Sequence, residues 1–408
     1  MTAVTPALLV LFSPLTQLSF IPVAVGIGAD IGMSEAQIGI AIGAHPLATG
    51  AASLLAGPLL DLVPVRRVLV PSVLVSALVS LWMCFHVTFE SLTLGRALSG
   101  LSTGVATLCA FALVTDLARG DDGLRDRRFS LLQTFMATGA ATALGLGAVA
   151  AHLDIPALVF IASGAYGVLL LLLVTFMPAP PAPVVAVDSA THAWASRLGA
   201  VLRGVGTMLT QARMVWLLVC AFILGLVIQG AHYGVSVLLE NNADQLELWQ
   251  RVALSILIPC GVFTGSSINR RVLRRVGRER LYTVFYLMLP VAVIAYATLT
   301  AVGAPLAVLA IGLLCAGTCL GAMMPLSAAI AVGWFVELRG SATASEALAR
   351  SVGQTAGPVL VGIVVAFASV ESAVFVVAAA AVVGAVGALV MSRASRGHHK
   401  AMVDTAAS

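Results

Sequence analysis

Gly57-Pro58-Leu59-Leu60-Asp61-Leu62-Val63-Pro64-Val65-Arg66-Arg67-Val68-Leu69 is a short polar link between two apolar runs, each long enough to cross a bilayer. Its arginines open a series. Working outward, every second connection between apolar runs is rich in Arg: Arg66 and Arg67; Arg119, Arg125, Arg127 and Arg128; Arg197, Arg203 and Arg213; Arg270 to Arg280; Arg339; and the tail from Arg393. The connections between them hold Asp30 and Glu35, Glu90, Asp154, Glu240 to Glu247, and Glu371, with no Lys or Arg. Lys and Arg beside a span are retained on the cytoplasmic side. A chain that alternates its charge in this way threads the bilayer repeatedly, with both termini in the cytosol.

Composition agrees. Of 408 residues, 60% are hydrophobic and 10% are charged, against roughly 25% charge in a soluble domain. A spanning helix needs about 20 apolar residues, and about twelve such runs can be counted. The expected class is therefore an all-α integral membrane protein of twelve helices. The net charge of +4 is spread through thin loops, which suits anionic lipid and not nucleic acid. Six cysteines fall inside apolar runs without zinc-type spacing, so small packing residues are expected, with Cys315 and Cys319 on one helix face, and no metal. The first run, from Pro6, lacks a basic leader and is as long as a span, so it is expected to stay as the first helix. Arginine outnumbers lysine 21 to one, which suggests a GC-rich bacterial genome. The expected location is the cell (plasma or inner) membrane, multi-pass and as a monomer.

The longest interruption, Pro178 to Ala212, opens with a Pro-rich segment and continues with Arg197 and Arg203 among apolar residues. A short amphipathic helix on the membrane surface is expected there. This linker divides the chain into a bundle at 1–178, a cytoplasmic linker at 179–212, a second bundle at 213–395 and a tail at 396–408. The halves look related: in each, the basic link after the second helix begins with Gly, at Gly57 and Gly265. Paired repeats are a transporter design, with solute held between them.

Polar side chains in hydrocarbon are costly and face a bundle interior or a wet cavity. The third, sixth, ninth and twelfth runs lack membrane-centred charge and read as lipid-facing. The first carries Ser13, Thr16 and Gln17 on one face, with Pro14 and Pro22 interrupting its hydrogen bonding. The fourth stripes Arg96, Ser99, Thr103 and Thr107, beside Gly100 and Gly104, which permit close helix approach. The seventh presents Gln229, His232, Tyr233 and Ser236; the eleventh holds Arg350, Gln354 and Thr355. Arg96 and Arg251 lie a few residues inside a span end, and His45 lies mid-membrane. No Asp or Glu is near a span centre; Asp116 and Glu346 sit at inner ends, with Arg350 one turn after Glu346. The expected cavity is neutral or basic, lined by Gln17, Arg96, Thr103, Gln229, His232 and Tyr233. With no carboxylate at mid-depth, His45, Arg96 and His232 are the proton-coupling candidates.

The residues from Gly57 to Leu69 resemble the signature loop of the major facilitator superfamily, matching it at Gly57, Leu59, Asp61, Arg66 and Leu69 and departing at Leu62, Pro64 and Val65. Arg96-x-x-x-Gly100-x-x-x-Gly104 resembles a motif tied to proton transfer in coupled members, and Pro22-Val23 one seen in twelve-span drug and sugar efflux members. In the second half, Gly265 to Arg271 is similar to a degenerate copy of the loop, with Asn269 in place of the acid. The efflux members' Gly-Pro on helix 5 is missing; Gly357-Pro358 on the eleventh run is the one Gly-Pro inside a span of the second half. The resemblance implies two pseudo-symmetric six-helix bundles, alternating access by their rocking, helices 1, 4, 7 and 10 around the cavity, and a gate on the cytoplasmic side built from Gly57, Asp61, Arg66 and Asp116. The expected activity is proton-coupled efflux of a small neutral, zwitterionic or anionic organic solute, with the proton gradient as energy source and no cofactor. The alternatives are an uptake permease for a small organic anion, or a membrane sensor or enzyme without transport.

Overall fold

The computed structural model describes residues 4–60, 62–117, 122–176, 187–335 and 338–407. Within them are twelve helices long and apolar enough to cross a membrane: span 1 (Val4–Asp30), span 2 (Glu35–Ala56), span 3 (Val65–Met83), span 4 (Phe89–Val114), span 5 (Leu131–His152), span 6 (Ala157–Thr175), span 7 (Ala212–Asn241), span 8 (Leu248–Asn269), span 9 (Arg278–Ala301), span 10 (Leu306–Trp334), span 11 (Gly340–Phe367) and span 12 (Val370–Ser395). The described residues contain no strand. Helices are what lipid demands, because each closes its own backbone hydrogen bonds where no water can.

The packing repeats between halves. In the first half, span 2 packs on 4, 1 on 5, 3 on 4, 3 on 6 and 1 on 6. In the second, 8 packs on 10, 7 on 11, 9 on 10, 9 on 12 and 7 on 12. Adding six to each number of the first set gives the second, so the bundles are pseudo-symmetric. The main contacts between halves obey the same rule: span 2 meets span 11, and span 8 meets span 5. The second part of span 1 also touches span 7.

Spans 3, 6, 9 and 12 stand outside this seam and turn apolar side chains outward, among them Leu78, Leu172, Val291 and Val383, as expected of a lipid face. The linker carries a helix, Val187–Leu209, which lies against spans 2 and 11; Trp194 Nε1 donates to the Leu55 carbonyl at 3.1 Å. This helix, the start of span 1 and the end of span 12 mark one face of the molecule, here called the termini face. The cysteine expectation needs correcting. Cys109, Cys220 and Cys319 are buried and Cys84 partly so, but Cys260 and Cys315 are exposed; a thiol behaves as a small apolar group and needs no packing partner to face lipid.

Candidate functional site

Span 1 is where the site is shaped. Pro22 has no N–H for the Leu18 carbonyl and crowds the turn before it, and the helix divides into Val4–Leu18 and Phe20–Asp30. Arg96 reaches this break from span 4. Its guanidinium donates to the carbonyls of Thr16 and, at 2.8 Å, of Gln17, and it lies over the Phe20 ring, 4.7 Å from the centroid. Arg96 is 1% exposed. Its charge is thus applied to span 1 from behind.

His45 is fully buried beside it. The ring Nε2 lies 3.2 Å from Thr16 Oγ1 and 3.3 Å from Thr103 Oγ1. Each hydroxyl has one proton, and each has a carbonyl acceptor in its own helix: Thr16 donates to Ser13 O at 3.0 Å, and Thr103 to Ser99 O at 2.9 Å. Both oxygens then offer lone pairs to His45, which assigns the proton to Nε2. Nδ1 has no partner, so a second proton on the ring finds no acceptor in this arrangement.

The cavity opens between the halves, with a volume of about 150 Å³. A water needs roughly 10–15 Å³ on that measure, so the space suits an organic solute better than a bare ion. Ser13, Pro14, Gln17 and Leu18 line it from span 1; Gln133, Thr134, Met136, Ala137 and Ala140 from span 5; Ile228, Gln229 and His232 from span 7; Pro259, Val262, Phe263 and Ser266 from span 8; Met324 and Pro325 from span 10; and Gln354 from span 11. Gln229 and His232 are 1% and 5% exposed, yet Gln229 Nε2 and both ring nitrogens of His232 have no partner. No charged residue belongs to this described lining.

The cavity belongs to the termini-face side of the seam. Gly145, further along span 5, faces Val252 and Ile256 of span 8, while nearer the termini Gln133 and Ser266 of the same two spans stand across the cavity. At the opposite face the halves are closed. Tyr233 donates to Glu35 Oε2 at 2.7 Å, Thr355 Oγ1 to the Gly43 carbonyl at 2.9 Å, and Gly39 sits against the backbone of Pro358.

The sequence-derived site residues are therefore divided. Gln17, Gln229 and His232 face the cavity; Arg96, Thr103 and His45 form a packed group behind span 1; Tyr233 belongs to the closed seam. Span 4 does not line the cavity as the resemblance implied, and the interior is neutral where a basic one was also expected. Both differences have one cause. Gly100 and Gly104 bring span 4 against the backbone of span 2 at His45 and Thr49, turning its polar stripe into the first half. Gln133 and Gln354 join the cavity without having been singled out for it. Gln354 is visible in sequence as a polar residue in an apolar run, whereas Gln133 follows a charged loop that masks it.

Of the gate residues, Arg66 donates to the Thr175 carbonyl at 2.6 Å. Asp61 lies outside the described residues, as do the placements of Gly57 and Asp116 beyond their helical backbone. Arg251 is bound to Glu240 at 2.9 Å near the opposite face. Glu346 is 1% exposed and sits 3.5 Å from Arg350. No group of three or more potential metal ligands occurs among the described residues.

A family model described as Major Facilitator Superfamily matches residues 7–314. No curated protein matches. Among solved structures, the chain is similar to the nucleoside transporter NupG at 15% identity with a TM-score of 0.73, covering 96% of this chain and 98% of that one. It is also similar to a bacterial homolog of the human lysosomal transporter Spinster, in an inward-facing and unoccupied conformation, at 16% identity with a TM-score of 0.74, covering 96% of each chain.

Proposed function

The chain belongs to the Major Facilitator Superfamily, and on that premise we propose that it is a secondary active transporter carrying a small uncharged or zwitterionic organic solute outward, driven by the proton gradient, by alternating access. One observation supports this above the rest: a cavity lies on the seam between two pseudo-symmetric bundles, and Gln229 and His232 face it with buried polar atoms that no protein group completes. Buried polar groups are nearly always paired, so these fit a ligand that comes and goes. The Arg-rich loops support a cytosolic termini face, and a cavity loading from that face fits export.

His232 is the proton-coupling candidate that shares the cavity with solute, which fits competition between the two. His45, with its ring held by Thr16 and Thr103, suits a role in packing span 1 against spans 2 and 4. An uptake permease for an organic anion would need a cation at the cavity, and the described lining offers none. The family and the solved neighbours are transporters, not enzymes.

The test is flux in proteoliposomes loaded with a pH-sensitive dye. Under an imposed pH gradient, a transported solute should collapse the gradient faster than leak. Gln229→Ala and His232→Ala should lose that effect, and Gly26→Ala, at a position with open space around it, should keep it. Undiminished solute-dependent proton flux in both cavity variants would contradict the assignment.

A further inference from the structure

One functional group recurs around the cavity. Gln17, Gln133, Gln229 and Gln354 reach it from spans 1, 5, 7 and 11, two from each half. The rest of the polar lining is hydroxyl and imidazole. The nearby charges are engaged elsewhere: Arg96 with the carbonyls of span 1, and Arg350 with Glu346. A solute entering here meets dipoles and no counter-ion. A net charge would lose its hydration without a partner, which costs far more than desolvating a neutral polar group.

A carboxamide presents two N–H donors and a two-lone-pair acceptor in one plane. It therefore pairs best with a ligand that holds a donor and an acceptor on neighbouring atoms, as when Gln reads the edge of a base with two parallel hydrogen bonds. The unpaired Nε2 of Gln229 fixes one such donor in the cavity, and His232 supplies one donor and one acceptor in its neutral form. Phe263 adds an aromatic ring to the same wall, which a flat ligand can stack on.

We propose that these four glutamines form the recognition set for an uncharged planar heterocycle with an amide-like edge, a nucleobase or its nucleoside, and that the set rejects the charged nucleotide. The proposal rests on the reading of this cavity as the transport site. Two glutamines on each half would let the same ligand draw the bundles together, since its contacts close only when both halves are near.

Thermal unfolding of the purified full-length protein in detergent tests it, with uracil, uridine and adenosine as uncharged probes, uridine monophosphate as the anion and tetraphenylphosphonium as the cation. A ligand that binds only the folded protein raises the midpoint as its concentration rises. At least one uncharged probe should do so, uridine monophosphate should not, and Gln229→Ala or Gln354→Ala should require roughly tenfold more ligand or beyond, the loss of about 1.4 kcal/mol. Gln→Asn at either position, which keeps the amide, should recover part of the response. Stabilisation by the monophosphate or the cation alone, or by no uncharged probe at millimolar concentration, would overturn the substrate class. The transporter reading stands apart from that result, because gradient-driven flux of another solute through the same cavity would preserve it while removing the heterocycle.

Discussion

Arg96 shows how a residue's depth can be read from the sequence while its partners cannot. A buried arginine in an apolar run is costly and therefore informative, but a helical stripe does not name the partner. The partner is span 1's own backbone at the Pro22 break. Hydrogen bonds to a charged group are worth roughly 1.5–3 kcal/mol each, so Arg96→Ala should lower the unfolding midpoint as well as flux, and Arg96→Lys should recover part of both. Wild-type stability and flux in the Ala variant, measured at equal membrane expression, would remove this role. Glu346 makes a second case. It is buried with Arg350 as its ion-pair partner, and breaking a buried pair from one side costs about 3–5 kcal/mol, because the remaining charge is stranded. Arg350→Ala should therefore destabilise more than Glu346→Gln in a thermal assay, and the reverse order would contradict the pairing. Gln17, Gln229 and His232 were legible because each interrupts an apolar run. Gln133 was not, since a polar residue beside a polar loop carries no surprise.

At the scale of elements, the number and order of the spans were legible, because lipid leaves a helix no alternative and hydropathy records each crossing. Rotation of each helix about its axis was less so. Span 4 offers two faces with good claims to the interior, the Arg96–Thr103 stripe and the small-residue stripe. The glycines decide, because they let backbones touch where a polar stripe only tolerates burial. A Cβ added at Gly100 would overlap the His45 carbonyl oxygen, so spans 2 and 4 would have to separate. Gly100→Ala should cost about 1–3 kcal/mol or more by overpacking. Gly26→Ala, with nothing within 4 Å, should be close to neutral despite also lying in a span. Equal melting of the two variants would show that the close crossing is not what sets span 4's rotation.

For the whole molecule, the repeat could be read from the matching basic links that begin at Gly57 and Gly265, but not the conformation, which depends on a small difference in free energy between closings of the two faces. Tyr233 and Glu35 contribute to that difference, joining the halves at 2.7 Å on the closed side. A bond to a charged acceptor is worth roughly 1.5–3 kcal/mol, so Tyr233→Phe should raise the population open at the opposite face by about tenfold or more. Labelling of a cysteine placed at Gln229 by a reagent confined to that face should accelerate accordingly, and an unchanged rate would exclude the latch.

The most direct test of alternating access is a pair of distances across the seam between spans 5 and 8, measured by spin labels in lipid vesicles. One pair, at Leu131 and Ile268, reports the termini face; the other, at His152 and Trp249, reports the opposite face. When a proton gradient and a transported solute are supplied, the first distance should shorten while the second lengthens. Two distances that stay fixed, or that change in the same direction, would contradict a molecule built to open one face by closing the other.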